Sequence, residues 1–175
     1  MRIILAAVLS ADGKLTKWGD SSAEAWSSPA DQEYFNSLIA ESSLIIMGSG
    51  TFDVAKSSIV NSAGKLRIVL TSEPSRYRNL LVAGQLEFWS DTPLETVKKL
   101  KEIGYKEALL VGGEKVYGAF LEAKLVSEVW LTVEPKIFGA GKSFAGSTQL
   151  DVKMRLVESK KLNEDGTMLL KYEVL

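Results

Sequence analysis

The chain has 175 residues, 46% of them hydrophobic, with 21 basic and 22 acidic side chains and a formal net charge of −1. That size and apolar content predict one domain with its own core, spanning 1–175, and the near-neutral balance gives no basis for nucleic acid or an anionic membrane as a partner. Cysteine and histidine are both absent, which excludes a disulfide framework, a thiolate nucleophile, a Ser-His-Asp triad and an ordinary zinc site. Carboxylates, hydroxyls, lysines and a bound cofactor are what remain for any chemistry.

The run 2–9 is nearly all apolar, the pattern of a central strand buried on both faces. It is far shorter than the roughly 20 residues a membrane helix needs. No basic region leads to a cleavage site, so a cytoplasmic location is the default expectation. A loop over 10–28 follows, with Gly13 and Gly19, and a loop of that length is a functional lid or a disordered segment. A helix is expected over 29–41, with Ser28 as N-cap, Pro29 in the first position and Asp31 in the first turn. Residues 44–47 read as a strand, 48–50 as a turn, 51–55 as a short helix and 66–71 as the next buried strand.

Two short strands, 80–83 and 86–89, are expected around Gly84 and Gln85, then an amphipathic helix over 93–103 closed by Gly104. After a buried strand at 108–111, Gly112 and Gly113 lead into a helix over 114–123, and 127–133 is a strand. The chain closes in strands at about 153–162 and 167–174, joined through Asn163-Glu164-Asp165-Gly166, a hairpin signal. The predicted class is α/β, a mostly parallel sheet with an antiparallel C-terminal hairpin at or near its edge. Met47, Ile137 and Phe138 read as core.

Two strand-turn-helix junctions stand out together, LIIMGSGTF at 44–52 and LLVGGEKVY at 109–117. Each puts small residues at the C-terminal end of a parallel strand, where open α/β sheets bind ligands, and two such ends can hold the two halves of a dinucleotide. Backbone N–H groups and the positive helix end there suit a phosphate or pyrophosphate, although a ligand-free tight turn explains a glycine pair equally well. Thr51 can cap its helix or hold a phosphate, and Thr71 and Ser72 add hydroxyls at a third strand end. Neither junction carries the Gly-x-Gly-x-x-Gly or Gly-Lys-Ser/Thr fingerprint, so a different dinucleotide fold is required.

LAAVLSADGKLT at 5–16, WSSPADQEYF at 26–35, IMGSGTF, RIVLTS at 67–72, the glycine-pair unit and KIFGAGKSF at 136–144 stand in the order of the dihydrofolate reductase-like superfamily. The chain resembles that superfamily over nearly its whole length, and most of all the reductase domain of the bifunctional riboflavin-biosynthesis deaminase-reductases and its stand-alone relatives. The resemblance implies a three-layer α/β/α fold and an NADPH-dependent reductase of the riboflavin-pathway type, moving hydride to the sugar C1′ of a ribosylaminopyrimidine phosphate. By motif position it implies that Ala7, Leu15, Gly48, Ser49, Thr51, Thr71, Ser72, Gly112, Gly113, Glu114, Lys115, Val116 and Tyr117 border the cofactor. Ser72 and Lys115 fall where the ribose phosphate is commonly met, which favours NADPH over NADH. Ser49 stands where many dihydrofolate reductases carry an arginine.

On the substrate side the resemblance directs Asp31 at the amino-pyrimidine part of a pyrimidine or pterin-like small molecule, with Thr132 supporting the contact. Read without the family, Asp31 is a carboxylate favoured by the helix dipole in a first turn. The resemblance also places Asp12 and Lys14 beside the nicotinamide, to orient a sugar hydroxyl or help move a proton; a polar Asp-Gly turn accounts for them equally well. Phe35 can form a wall for a flat ring or simply pack in the core, and Trp18 and Trp26 flank the loop as covers or, for Trp26, as core.

Dihydrofolate reduction is the rival activity, against which Lys65 replaces the arginine expected for the glutamate tail. The Arg-x-Asp-Asp-Pro segment frequent in the riboflavin branch is missing, which keeps an orphan pterin or carbonyl reductase open. A nucleotide-binding regulatory module without turnover is the non-enzyme alternative. The missing cysteines and histidines exclude the zinc deaminase half of the bifunctional relatives. A homodimer is the family expectation.

Overall fold

Residues 1–19 and 22–175 are described by the computed structural model; Asp20 and Ser21, inside the loop expected to act as a lid, lie outside the described residues. The elements in chain order are β1 (Arg2–Ser10), α1 (Pro29–Glu41), β2 (Leu44–Gly48), α2 (Ser49–Ala55), β3 (Leu66–Leu70), β4 (Leu86–Trp89), α3 (Pro93–Glu102), β5 (Glu107–Leu110), α4 (Glu114–Glu122), β6 (Glu128–Glu134), β7 (Met154–Lys161) and β8 (Met168–Val174). They build an eight-stranded sheet in the order β4-β3-β2-β5-β1-β6-β8-β7. From β4 to β6 the pairings are parallel, and β6-β8-β7 are antiparallel. This is the three-layer α/β/α arrangement of the resembled superfamily.

Period-2 alternation divides the central strands between two cores. Ile3, Leu5 and Ala7 face one side with Ile46, Ile68 and Leu110, under Leu100 of α3 and Phe120 of α4. Ile4 and Ala6 face the other with Ile45, Met47, Val69 and Leu109, under Leu38 of α1 and Phe52 of α2. A strand between two helical layers therefore has to be apolar at every covered position, which is why 3–9 is an unbroken apolar run.

The helix ends follow local chemistry. The Ser28 hydroxyl accepts from the Asp31 N–H at 3.2 Å, with Pro29 opening α1, and Thr92 and Glu95 form a reciprocal capping box on α3.

Three expectations are corrected. The segment at 80–83 is not a strand: Pro74–Leu80 winds as a 3-10 helix and only Val82 bridges to Leu86. Leu80 and Leu81 are exposed there, so no face is buried that would hold a strand. The turn expected at 48–50 is absent, because β2 passes straight into α2 with Gly48 as its cap. Ile137 is not core but 79% exposed, lying beyond the end of β6 where no ladder presents it to a layer.

Candidate active-site cleft

A cleft of about 650 Å³ opens at the C-terminal ends of the parallel strands, bordered by residues from β1, β2, β3, α1, α2 and α4. Its size is that of a small-molecule or cofactor site.

The two glycine junctions form one wall. The Gly48 N–H donates to the Gly112 carbonyl at 2.7 Å, which ties the β2–α2 and β5–α4 turns together. A Cβ on Gly48 would lie 2.9 Å from Val116 Cγ2, and one on Gly112, where φ is +119°, would lie 3.0 Å from Thr51 Oγ1. Neither position has room for a side chain. Gly113 caps α4 without a side-chain bond, so the Glu114 and Lys115 N–H groups have no capping side chain and are available to an anion, while the Val116 N–H donates to the Gly113 carbonyl at 2.9 Å. Thr51 is the third residue of α2 and not its cap, and its hydroxyl lies against the glycine pair.

At the end of β3, Thr71 Oγ1 accepts from the Glu73 N–H at 3.2 Å, while Ser72 is exposed on the cleft rim. Tyr117 borders the same space, but its hydroxyl donates to the Ala6 carbonyl at 2.6 Å. Burial pushes the Tyr117 pKa up, so it is a neutral pillar holding α4 on β1. Lys115 and Lys142 are the cations among the described lining residues, and both are exposed.

Asp31 borders the same cleft with only 4% exposure. The Thr132 hydroxyl, from β6, donates to Asp31 Oδ1. Burial raises the Asp31 pKa, and the negative charge of Glu134 adds to the rise; hydrogen bonds from Thr132 and Ser27 oppose it. A buried carboxylate beside open space can accept paired N–H donors from a flat heterocycle, or hold a proton at higher pH than an exposed aspartate does.

These groups fit a reduced dinucleotide: a side-chain-free approach at Gly48 and Gly112, uncapped α4 N–H groups, three hydroxyls and Lys115. Ala7, Leu15, Phe35, Ser49, Gly113, Glu114 and Val116 border the cleft with them.

Asp12, Lys14 and Trp26 do not border it. The Asp12 carboxylate accepts from Ser10 Oγ at 2.6 Å, the Gly139 N–H at 2.8 Å and the Phe138 N–H at 3.1 Å. Lys14 bridges to Ser143, and Trp26 is buried with its ring edge-on to Phe138 at 5.0 Å. Residues 10–18 are thereby bonded to 136–143, with further bonds from Ala11, Leu15 and Trp18.

Thr16, Gln32, Trp130 and Lys142 border the cleft without having been singled out. Lys142 is brought there by its N–H bond to Thr16 Oγ1 and by the Leu15 N–H on its carbonyl, a long-range pairing that no local spacing signals.

The RibD C-terminal domain family matches residues 1–168. The chain belongs to that family. Among solved structures it is similar to a riboflavin biosynthesis protein from Shewanella sp. PV-4, described as putative, at 20% identity over 100% of this chain and 99% of that one, with a TM-score of 0.78. A pyrimidine reductase-like protein from Corynebacterium diphtheriae aligns at 17% identity over 99% and 92% of the two chains, TM-score 0.79. The Thermotoga maritima diaminohydroxyphosphoribosylaminopyrimidine deaminase/5-amino-6-(5-phosphoribosylamino)uracil reductase aligns at 20% identity and TM-score 0.78 over 99% of this chain and 56% of its own. Likeness at such identities speaks for the RibD-type fold. Among curated proteins there is no match. No helix of the described residues is long and apolar enough to cross a membrane.

Proposed function

We propose that this RibD C-terminal domain family member is an NADPH-dependent reductase of the riboflavin-pathway type, with residues 1–175 acting as one domain. The substrate is a ribosylaminopyrimidine phosphate, and hydride reaches C1′ of the sugar so that ribosyl becomes ribityl. The observation that carries this reading is the position of Asp31, a buried carboxylate facing the same cleft as both glycine junctions. A binding module for nucleotides alone has no need of a buried acid in the cleft.

In this reading Gly48, Thr51 and the Gly112–Tyr117 turn hold the cofactor, with Thr71, Ser72 and Lys115 toward its adenosine phosphate. Bound there, the reduced nicotinamide supplies the hydride. Asp31, braced by Thr132, accepts the N–H donors of the pyrimidine and orients the sugar carbon. Phe35 and Trp130 flank the flat ring. Dihydrofolate is disfavoured as substrate because Lys65 donates to the Ile39 and Ala40 carbonyls at the end of α1, so its ammonium is already engaged.

Loss of reduced-nicotinamide absorbance, with the ribosylaminopyrimidine phosphate and dihydrofolate offered in parallel, is the test. Turnover of the first supports the proposal. Preference for dihydrofolate, or cofactor binding with no turnover of either, would overturn it. A homodimer belongs to the same proposal: the edge strand β7 exposes Met154, Leu156 and Val157, and a monomeric mass by light scattering would sink it.

A further inference from the structure

Glu134 is 1% exposed, a carboxylate as deeply buried as the aliphatic core, and nothing in the proposed chemistry uses it directly. Its two oxygens are both engaged. Oε1 accepts from the Ser28 N–H at 2.8 Å, and Oε2 accepts from Thr167 Oγ1 at 3.1 Å. Because the single Thr167 proton goes to Glu134, the 3.2 Å contact between Thr167 Oγ1 and Ser28 Oγ runs with Ser28 as donor. Asn163 Nδ2 supplies a second donor to Thr167 at 2.9 Å. The Ser28 hydroxyl, its proton spent on Thr167, keeps a lone pair for the Asp31 N–H at 3.2 Å. The polarity of the whole chain of bonds, from Glu134 to the amide of Asp31, is therefore set by an acceptor-only carboxylate.

The strand makes this possible. Thr132 and Glu134 point to the same face of β6 by the two-residue period, and Lys136, next in the series, donates to the Trp26 carbonyl. Two same-face side chains of β6 thus grip Asp31 and Ser28, and Lys136, past the end of the strand, grips Trp26. The charge that bears on Asp31 is that of Glu134 from β6, which is itself buried.

We propose that Glu134 is a positioning residue: through Ser28 and Thr167 it fixes the turn that places Asp31 in the cleft, and its buried charge bears on the Asp31 carboxylate. The significance of that placement rests on the reading of Asp31 as the substrate-side acid. The pKa of Asp31, raised by burial and further by Glu134, agrees in direction.

The test is a carboxyl 13C NMR titration of the full chain without ligand, so it does not depend on finding the substrate. In the wild type, the Glu134 resonance is expected to show an inflection at the midpoint of Asp31. Glu134→Gln keeps the shape but offers a donor where both partners, the Ser28 N–H and the Thr167 O–H, are donors. The Asp31 midpoint is expected to move to lower pH in this variant. An unchanged Asp31 midpoint in folded Glu134→Gln overturns the proposal. If that variant does not fold, a wild-type Glu134 carboxyl resonance that shows no inflection at the Asp31 midpoint overturns it instead. An Asp31 midpoint that moves in Glu134→Gln, in a protein that reduces neither substrate, supports the placement while sinking the reductase reading.

Discussion

The Gly48 N–H donates to the Gly112 carbonyl at 2.7 Å, so two strand-to-helix turns that lie far apart in the chain form one continuous surface. The approach is closed to any Cβ: on Gly48 it would meet Val116 Cγ2 at 2.9 Å. At Gly48 φ is −86°, an angle open to any residue, so Gly48→Ala isolates the steric effect from backbone strain. The variant is expected to lose about 1–3 kcal/mol of stability in a urea titration, the usual range for overpacking, and to bind NADPH more weakly by calorimetry. Adding Val116→Ala should recover part of both. An alanine at 48 that changes neither stability nor affinity would mean the junctions are free to separate.

Asp31→Asn is expected to trade function for stability. The folded-state pKa of Asp31 is raised, chiefly by burial, so its contribution to stability is fully present below its unfolded pKa and is lost as pH rises through the folded value. At neutral pH the buried charge therefore opposes folding. Asparagine still accepts from Thr132 through its carbonyl oxygen and carries no charge. The gain should be roughly 0.5–2 kcal/mol at neutral pH, the scale seen when a strained functional site is relieved. It should shrink toward acid, where the wild-type carboxyl is protonated. Activity should fall about 100-fold or more if the acid takes part in proton handling. Denaturation midpoints across pH, beside kcat/KM, check both limbs; a less stable variant at neutral pH would refute the sign.

Much of this architecture is legible in the residues, and the exceptions have physical causes. Ser28-Pro29 and Asp31 mark the start of α1 because capping is local, and the unbroken apolar run of β1 marks a strand covered on both sides. Leu80, Leu81 and Val82 mimic a strand, yet Pro74 opens a 3-10 turn and the leucines find no layer to cover them. Glu134 could not be read at all: an acid at a strand end looks solvent-facing until the turn before α1 and the C-terminal hairpin bring Ser28 and Thr167 to it. Asp12 was legible as a turn residue; that its partners are Phe138 and Gly139, across the chain, was not.

Asp12 yields a pH prediction of the opposite sign from Asp31. The Ser10 hydroxyl, with the Phe138 and Gly139 N–H groups, holds its pKa down to about 2. A depressed carboxyl contributes stability present above its unfolded pKa and lost as pH falls through the folded value. Asp12→Asn should thus be less stable than the wild type at neutral pH, and the gap should narrow from about pH 4 toward pH 2, the interval between the two values. Urea titrations at several pH values measure it. A gap that persists unchanged into acid would show that the Asp12 charge does not hold 10–16 to 136–143.

Lys115 decides whether the cofactor reading extends to its phosphate. It is exposed at the second position of α4, beside the uncapped N–H groups and on the same cleft as Ser72. A charge-assisted bond to a 2′-phosphate is worth about 1.5–3 kcal/mol where water is excluded, and less at an exposed lysine. Lys115→Ala should therefore weaken NADPH binding by roughly 3- to 30-fold, leave NADH nearly unchanged, and flatten the salt dependence of NADPH affinity. Equal losses for both cofactors would place the ammonium on the pyrophosphate they share. Equal catalytic efficiency of the wild type with NADH and NADPH would remove the basis for the preference altogether, since Ser49 offers no guanidinium in compensation.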